Sequence, residues 1–127
     1  MKKSYCFFID DDHDEQAFFV HAANSVLPNL KIILFDSGEE ALTFFTKEEA
    51  YAPEFLFIDM NLPRINGLEL LHGIWKQIDL SLTKVIIYST GIIPSHRVDF
   101  ASLNVFEIVD KPVTLDEMHT LLTRLLN

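Results

Sequence analysis

Three apolar runs in this 127-residue chain end in residues that can do chemistry. Phe7-Phe8-Ile9 stops at Asp10-Asp11-Asp12, Phe55-Leu56-Phe57-Ile58 stops at Asp59, and the run from Val105 leads through Asp110 into Lys111-Pro112. Adjacent carboxylates repel one another unless a cation relieves them. Hard oxygen donors of this kind suit Mg²⁺, which takes a few carboxylates and keeps several waters. A carboxylate such as that of Asp59 can be a nucleophile toward a phosphoryl group, giving an aspartyl phosphate. A metal ion would neutralise the charge gathered between them. Pro112 restricts Lys111 to extended geometry, and its ammonium can pair with Asp59 at rest and with a phosphoryl oxygen after transfer. Ser89-Thr90, at the end of another apolar run, offers a hydroxyl for the same oxygen. Each residue also has an ordinary use taken singly: acids and hydroxyls cap turns and helix N-termini, and a lysine can simply be solvated.

The elements that must position these residues follow from the apolar pattern. Short apolar runs punctuated by turn residues read as buried parallel strands, expected over about 5–9, 31–35, 55–58, 85–88 and 105–109. Between them the spacing predicts helices over about 14–26 (Phe18, Ala22 and Val26 on one face), 38–47, 68–77 (Leu68, Leu71 and Trp75) and 95–103, the last with poor periodicity. Two capping boxes, Ser37 with Glu40 and Thr114 with Glu117, open a helix each, and Leu115, Met118, Leu122 and Leu125 continue the second. Five strand–helix units in alternation specify an α/β protein with a parallel sheet covered on both faces. In such a sheet ligands bind at the carboxyl ends of the strands, which is where the acids and the lysine fall.

Composition sets the remaining bounds. A chain of this length is expected to be one domain, residues 1–127, with its own core, and the 49% hydrophobic content and eleven Phe agree. A net charge of −9 and scattered Lys and Arg argue against nucleic acid, which needs a basic face. No apolar stretch approaches the 18 or so residues of a membrane span, and charge at Asp10 ends any signal-like start, so a cytoplasmic location is expected. The lone Cys6 reads as a small buried hydrophobe. His13 adjoins the acidic cluster and could approach a metal, but reads better as a solvated first-turn residue. The other four histidines show no zinc-like spacing.

Taken in order, Ile9-Asp10-Asp11, Ile58-Asp59-Met60-Asn61-Leu62-Pro63 through Asn66-Gly67, Ser89-Thr90 and Lys111-Pro112 resemble the receiver domain of two-component response regulators, over essentially the whole chain. The resemblance implies a flavodoxin-like strand order 2-1-3-4-5 and a stand-alone receiver of the chemotaxis-regulator kind. It implies that Asp59 is the phosphoacceptor, that Asp11 ligates Mg²⁺ directly and Asp10 through water, and that the Asn61 carbonyl adds a ligand. Ser89 takes the place of the family's Ser or Thr, Thr90 that of its small residue, and Lys111 that of its lysine. The implied partners are a histidine kinase or histidine phosphotransfer protein as donor and a downstream protein target whose identity the sequence leaves open. The product is a phosphorylation-controlled switch and not a turnover enzyme. The chain departs from the family at Ile108, where an aromatic is usual, with Phe106 expected on the same sheet face as Ile108, and at Asn104, which replaces a glycine but tolerates the left-handed conformation. Gly91-Ile92-Ile93-Pro94 is apolar for a loop beside the site.

Two other readings compete. One is a haloacid-dehalogenase-like phosphatase with Asp10 as nucleophile and Asp12 as acid/base, against which stands the lack of a downstream acidic pair. The other is a pseudo-receiver that binds partners without phosphate. Finally, the sharp exit from the last strand into Thr114 predicts a cis Lys111-Pro112 bond, for which an X-Pro link costs only about 0.5–1 kcal/mol.

Overall fold

The computed structural model describes residues 4–91 and 100–127. The elements are β1 (Tyr5–Ile9), α1 (His13–Val26), β2 (Lys31–Phe35), α2 (Gly38–Phe45), β3 (Phe55–Asp59), α3 (Gly67–Trp75), β4 (Lys84–Ser89), β5 (Val105–Asp110) and α4 (Leu115–Leu125). The helix expected over 95–103 falls mainly outside the described residues. All pairings are parallel and the strand order is β2-β1-β3-β4-β5. From β1 the chain turns to one side to build β2 and later to the other side to build β3. That reversal opens a crevice at the carboxyl ends of β1 and β3.

Alternation along each central strand feeds two cores. Phe7, Ile9, Leu56, Ile58, Val85 and Ile87 pack with α2 and α3 through Ala41, Phe45, Leu70, Leu71 and Ile74. On the other face Cys6, Phe8, Phe57, Ile86 and Tyr88 meet α1 and α4 through Phe19, Ala22, Ala23, Met118, Leu122 and Leu125. Each fully buried Phe or Leu is worth about 1.5–3 kcal/mol relative to exposure, so the strands are stiff supports for whatever their ends carry. The helix starts follow the sequence signals. Ser37 Oγ accepts from Glu40 N at 3.0 Å, and Thr114 Oγ1 from Glu117 N at 3.1 Å. The Glu117 carboxylate returns to Val113 N at 3.0 Å, one residue before the cap.

Four expectations need correction. The outer strands are not buried on both faces: β2 leaves Lys31 and Leu34 exposed and β5 leaves Phe106 exposed, because both are sheet edges. The deepest face of α1 is Gln16, Phe19, Ala22 and Ala23, with Phe18 and Val26 only half-buried, and Trp75 of α3 is likewise half-buried. Phe106 and Ile108 do not share a face. The pairing of β4 with β5 slips between Val85↔Val105 and Ile86↔Glu107. This bulge turns Phe106 toward Lys84 and Glu107 toward Arg124 of α4, while Val105 and Ile108 pack on the α2/α3 side. Lastly, no cis peptide bond occurs among the described residues, so Lys111-Pro112 is trans. Lys111 N still donates to Ser89 O at 2.8 Å, which carries the strand pairing to the crevice edge. Pro112 and Val113 then supply the turn before Thr114, and the chain keeps the lower-energy isomer. Asn104 does adopt the left-handed conformation, at φ 58°, as does Arg64 at φ 68°.

One close approach fixes the β3–α3 connection. Gly67 N donates to Met60 O at 3.0 Å, and Asn66 caps α3 by accepting from Glu69 N at 2.9 Å. A Cβ on Gly67 would sit 3.0 Å from Met60 Cα and 3.1 Å from Asp59 O, both backbone atoms. Gly67→Ala should therefore destabilise the fold by about 1–3 kcal/mol despite its better helix propensity. Urea unfolding measures this, and an unchanged or higher midpoint would show that the loop yields.

Candidate functional site

The crevice gathers the chemistry-bearing residues from four strand ends. Asp10 follows β1 and is fully buried. Its Oδ1 accepts from Asp12 N at 2.9 Å, a turn that aims its other oxygen into the crevice. Asp11, next in sequence, is exposed. Asp59 closes β3 at 4% exposure, and its Oδ1 accepts from Asn61 N at 3.0 Å. One carboxylate oxygen from each of Asp10, Asp11 and Asp59 lies within 4.8 Å of the others. Lys111, beyond β5, places Nζ 3.4 Å from Asp59 Oδ2 and 3.5 Å from Asp10 Oδ2. Ser89 at the end of β4 is buried, donates to Gly91 O at 3.2 Å and accepts from Asn61 Nδ2 at 3.5 Å. Thr90 is exposed.

Asp12 and the adjoining His13 serve elsewhere. Asp12 caps α1 by accepting from Asp14 N at 2.8 Å and Glu15 N at 3.3 Å. Its place at the helix N-terminus is the ordinary capping use of such a residue, and the phosphatase-like reading is not favoured. His13 lies 3.3 Å from Asp36 in an exposed pair, not among the three clustered carboxylates.

Sequence reasoning missed Gln16. Its amide donates to Asp10 O at 2.9 Å and Asp36 Oδ1 at 2.8 Å, tying α1 to the ends of β1 and β2. The signal was present: a polar residue on the apolar face that Phe19 and Ala23 continue. Tyr88 was also missed. Its ring lies 5.5 Å from Lys111 Nζ on the α1/α4 side, and a strand-interior aromatic carries no sequence mark of such a role.

Electrostatics show why the site calls for a cation. Burial pushes Asp10 up to about 6; the bond from Asp12 N opposes this, the Asp59 charge adds to it and Lys111 offsets part. Burial works to lower Lys111, but the Asp59 and Asp10 charges outweigh it and hold the ammonium above its ordinary value. One lysine thus fails to neutralise the crowded carboxylates. Asp10, Asp11 and Asp59 fit a hard divalent ion by donor type, spacing and excess charge. Asp59 presents Oδ2 toward Lys111, the arrangement a carboxylate nucleophile needs when the incoming group is anionic.

Residues 7–123 match the family model of the response regulator receiver domain. The chain belongs to this family. Receiver domains are the phosphorylation-controlled switches of two-component signalling. A relative from Arabidopsis thaliana, named as the two-component response regulator ARR20, is 35% identical over 85 residues. That match spans 57% of this chain but only 20% of the relative's length. The fold agrees with that of the phosphorylated cyanobacterial phytochrome response regulator RcpA, at TM-score 0.82 and 20% identity, over 97% of this chain and 91% of that one. It also agrees with a Mn²⁺-bound form of response regulator Rcp1, at TM-score 0.80 and 18% identity, over 95% and 90% of the two chains. No described helix of this receiver is long and apolar enough to cross a membrane.

The raised Asp10 makes stability pH-dependent in a stated direction. Its folded midpoint lies above the ordinary carboxylate value, so the folded state prefers the proton. The associated stability is complete below about pH 4 and is lost as pH rises through about 6. With divalent cations chelated, Asp10→Asn should be more stable than wild type at pH 7.5 by about 1–3 kcal/mol. The gain should vanish near pH 4; denaturant unfolding at both pH values checks it, and a less stable variant at pH 7.5 would contradict the charge crowding.

Proposed function

We propose that Asp59 is the residue of this receiver that takes the phosphoryl group. The carrying observation is its seat: a buried strand-end carboxylate with one oxygen held by Asn61 N–H and the other facing Lys111, beside Asp10 and Asp11. The Asp59 oxygen attacks phosphorus, an O–P bond forms and the P–N bond of a phosphohistidine breaks, its electron pair staying on the donor imidazole. Lys111 stabilises the negative charge on the phosphoryl oxygens, and the Ser89 hydroxyl turns from Gly91 O to donate to one of them. Asp11 and Asp59, with the Asn61 carbonyl, would hold Mg²⁺, and Asp10 would contact it through water. The ion supplies charge neutralisation between carboxylate and incoming phosphate. The Mn²⁺-bound and phosphorylated states of the two structural relatives support this reading.

The donor is a histidine kinase or histidine phosphotransfer protein, and the output is altered affinity for a downstream protein. The receiver acts as a switch in the cytoplasm, without multiple-turnover chemistry on an outside substrate. Ile108 stands where the family usually has an aromatic, and here it packs with the α2/α3 core.

Incubation with a small acyl phosphate and Mg²⁺ should add one phosphoryl group by intact mass, labile to hydroxylamine. Asp59→Asn should abolish it, and Lys111→Ala should slow it by about 10²-fold or more, the scale of losing one electrostatic stabiliser. Labelling that survives Asp59→Asn and disappears in Asp10→Asn would move the covalent site. Separately, millimolar Mg²⁺ should shift the backbone amide resonances of Asp11, Asp59, Met60 and Asn61, and unchanged spectra would remove the metal site.

A further inference from the structure

Beside Lys111 lie two groups the switch reaction does not use. Glu15, in the first turn of α1, lines a groove of about 380 Å³ together with Lys111, Phe18, Thr90 and Pro112. Its Oε2 is buried yet has no hydrogen-bond partner among the described residues, and the same is true of the Tyr88 hydroxyl. Tyr88 is 1% exposed, and its ring lies 5.5 Å from Lys111 Nζ. An unpaired buried acceptor and an unpaired buried hydroxyl each carry a desolvation penalty, so a native site keeps such groups where something uses them. An ammonium has three donors. Lys111 directs its donors at Asp10 and Asp59 over 3.5 and 3.4 Å, both long for charge-assisted bonds. Glu15 supplies a further acceptor in the groove that Lys111 also lines.

We propose that Glu15 is a positioning residue for Lys111: its carboxylate, with the Tyr88 hydroxyl, forms a second seat for the ammonium on the α1 side of the site. The lysine divides its time between this seat and Asp59, and Glu15 sets the division. After transfer to Asp59 the phosphoryl dianion draws Lys111 across, leaving the Tyr88 hydroxyl free to donate to Glu15. Electrostatics agree: Glu15 is among the charges that raise Lys111, and after burial it is the foremost cause raising the Tyr88 phenol. The proposal rests on Asp59 as the phosphoacceptor for its kinetic consequence but not for the placement of the lysine.

Two readouts test it on the whole chain. The first follows the ¹³Cε and ¹⁵Nζ chemical shifts of Lys111 at constant pH, assigned by their loss in Lys111→Arg. Glu15→Gln should displace them. The second is the rate of labelling by a small acyl phosphate at saturating Mg²⁺, which should rise by roughly three- to tenfold in Glu15→Gln as Lys111 stays with Asp59. Glu15→Asp keeps the charge but draws it back, and Tyr88→Phe leaves the charge untouched. Both should move the two readouts part of the way in the same direction. Lys111 resonances identical in wild type and Glu15→Gln overturn the proposal, as does Glu15→Asp or Tyr88→Phe behaving as wild type, which would leave a simple charge effect. If wild type takes no phosphoryl group, the phosphoacceptor reading fails, and the Lys111 resonances still decide the second seat.

Discussion

Two carboxylates, Asp10 and Asp59, are buried side by side with one lysine between them, and the rest of the site is arranged around that constraint. Burial raises the proton affinity of Asp10, and the neighbouring Asp59 charge adds to it. A fold tolerates this only where strong backbone donors and an ammonium hold the anions in place. Asp12 N serves Asp10, Asn61 N serves Asp59, and Lys111 serves both. The remaining deficit of positive charge is what makes the three clustered carboxylates fit a divalent ion.

Such a site needs rigid supports because it stores unfavourable energy. The central strands β1, β3 and β4 supply them, each buried on both faces between the α2/α3 and α1/α4 cores. Stacked and edge-on aromatic contacts, such as Phe8 on Phe19 at 4.1 Å between ring centroids, fasten α1 to the sheet directly below the acidic turn. Gln16 then couples that helix to the ends of β1 and β2 by side-chain hydrogen bonds. On the β3 side the absence of a side chain at Gly67 lets α3 start against Met60, which fixes the chain that leaves Asp59.

The edge strand β5 pairs on one side only and is irregular. A bulge after Val105 gives Phe106 and Glu107 the same side of the sheet, against Lys84 and Arg124. Ile108 thereby returns to the α2/α3 side, three residues before Lys111. β5 pairs with β4 only and, among the described residues, has no strand on its outer side.

The strands, their parallel sheet, both capping boxes and the ordered appearance of Asp10, Asp11, Asp59, Ser89 and Lys111 at strand ends were legible in the amino-acid sequence alone. Those features are local: apolar runs, turn residues and caps act over a few neighbouring residues. The tertiary structure decided what depends on register and on contacts between distant segments. It chose which oxygen of each carboxylate meets Lys111, gave Asp12 to the helix cap and brought Gln16 and Tyr88 to the site. It also set the parity of Phe106 against Ile108 through one extra residue in β5. The Lys111-Pro112 bond belongs with these. Its isomer turned on how far the pairing of Lys111 with Ser89 carries the strand and how much chain remains before Thr114, a length that only the packed sheet and α4 determine.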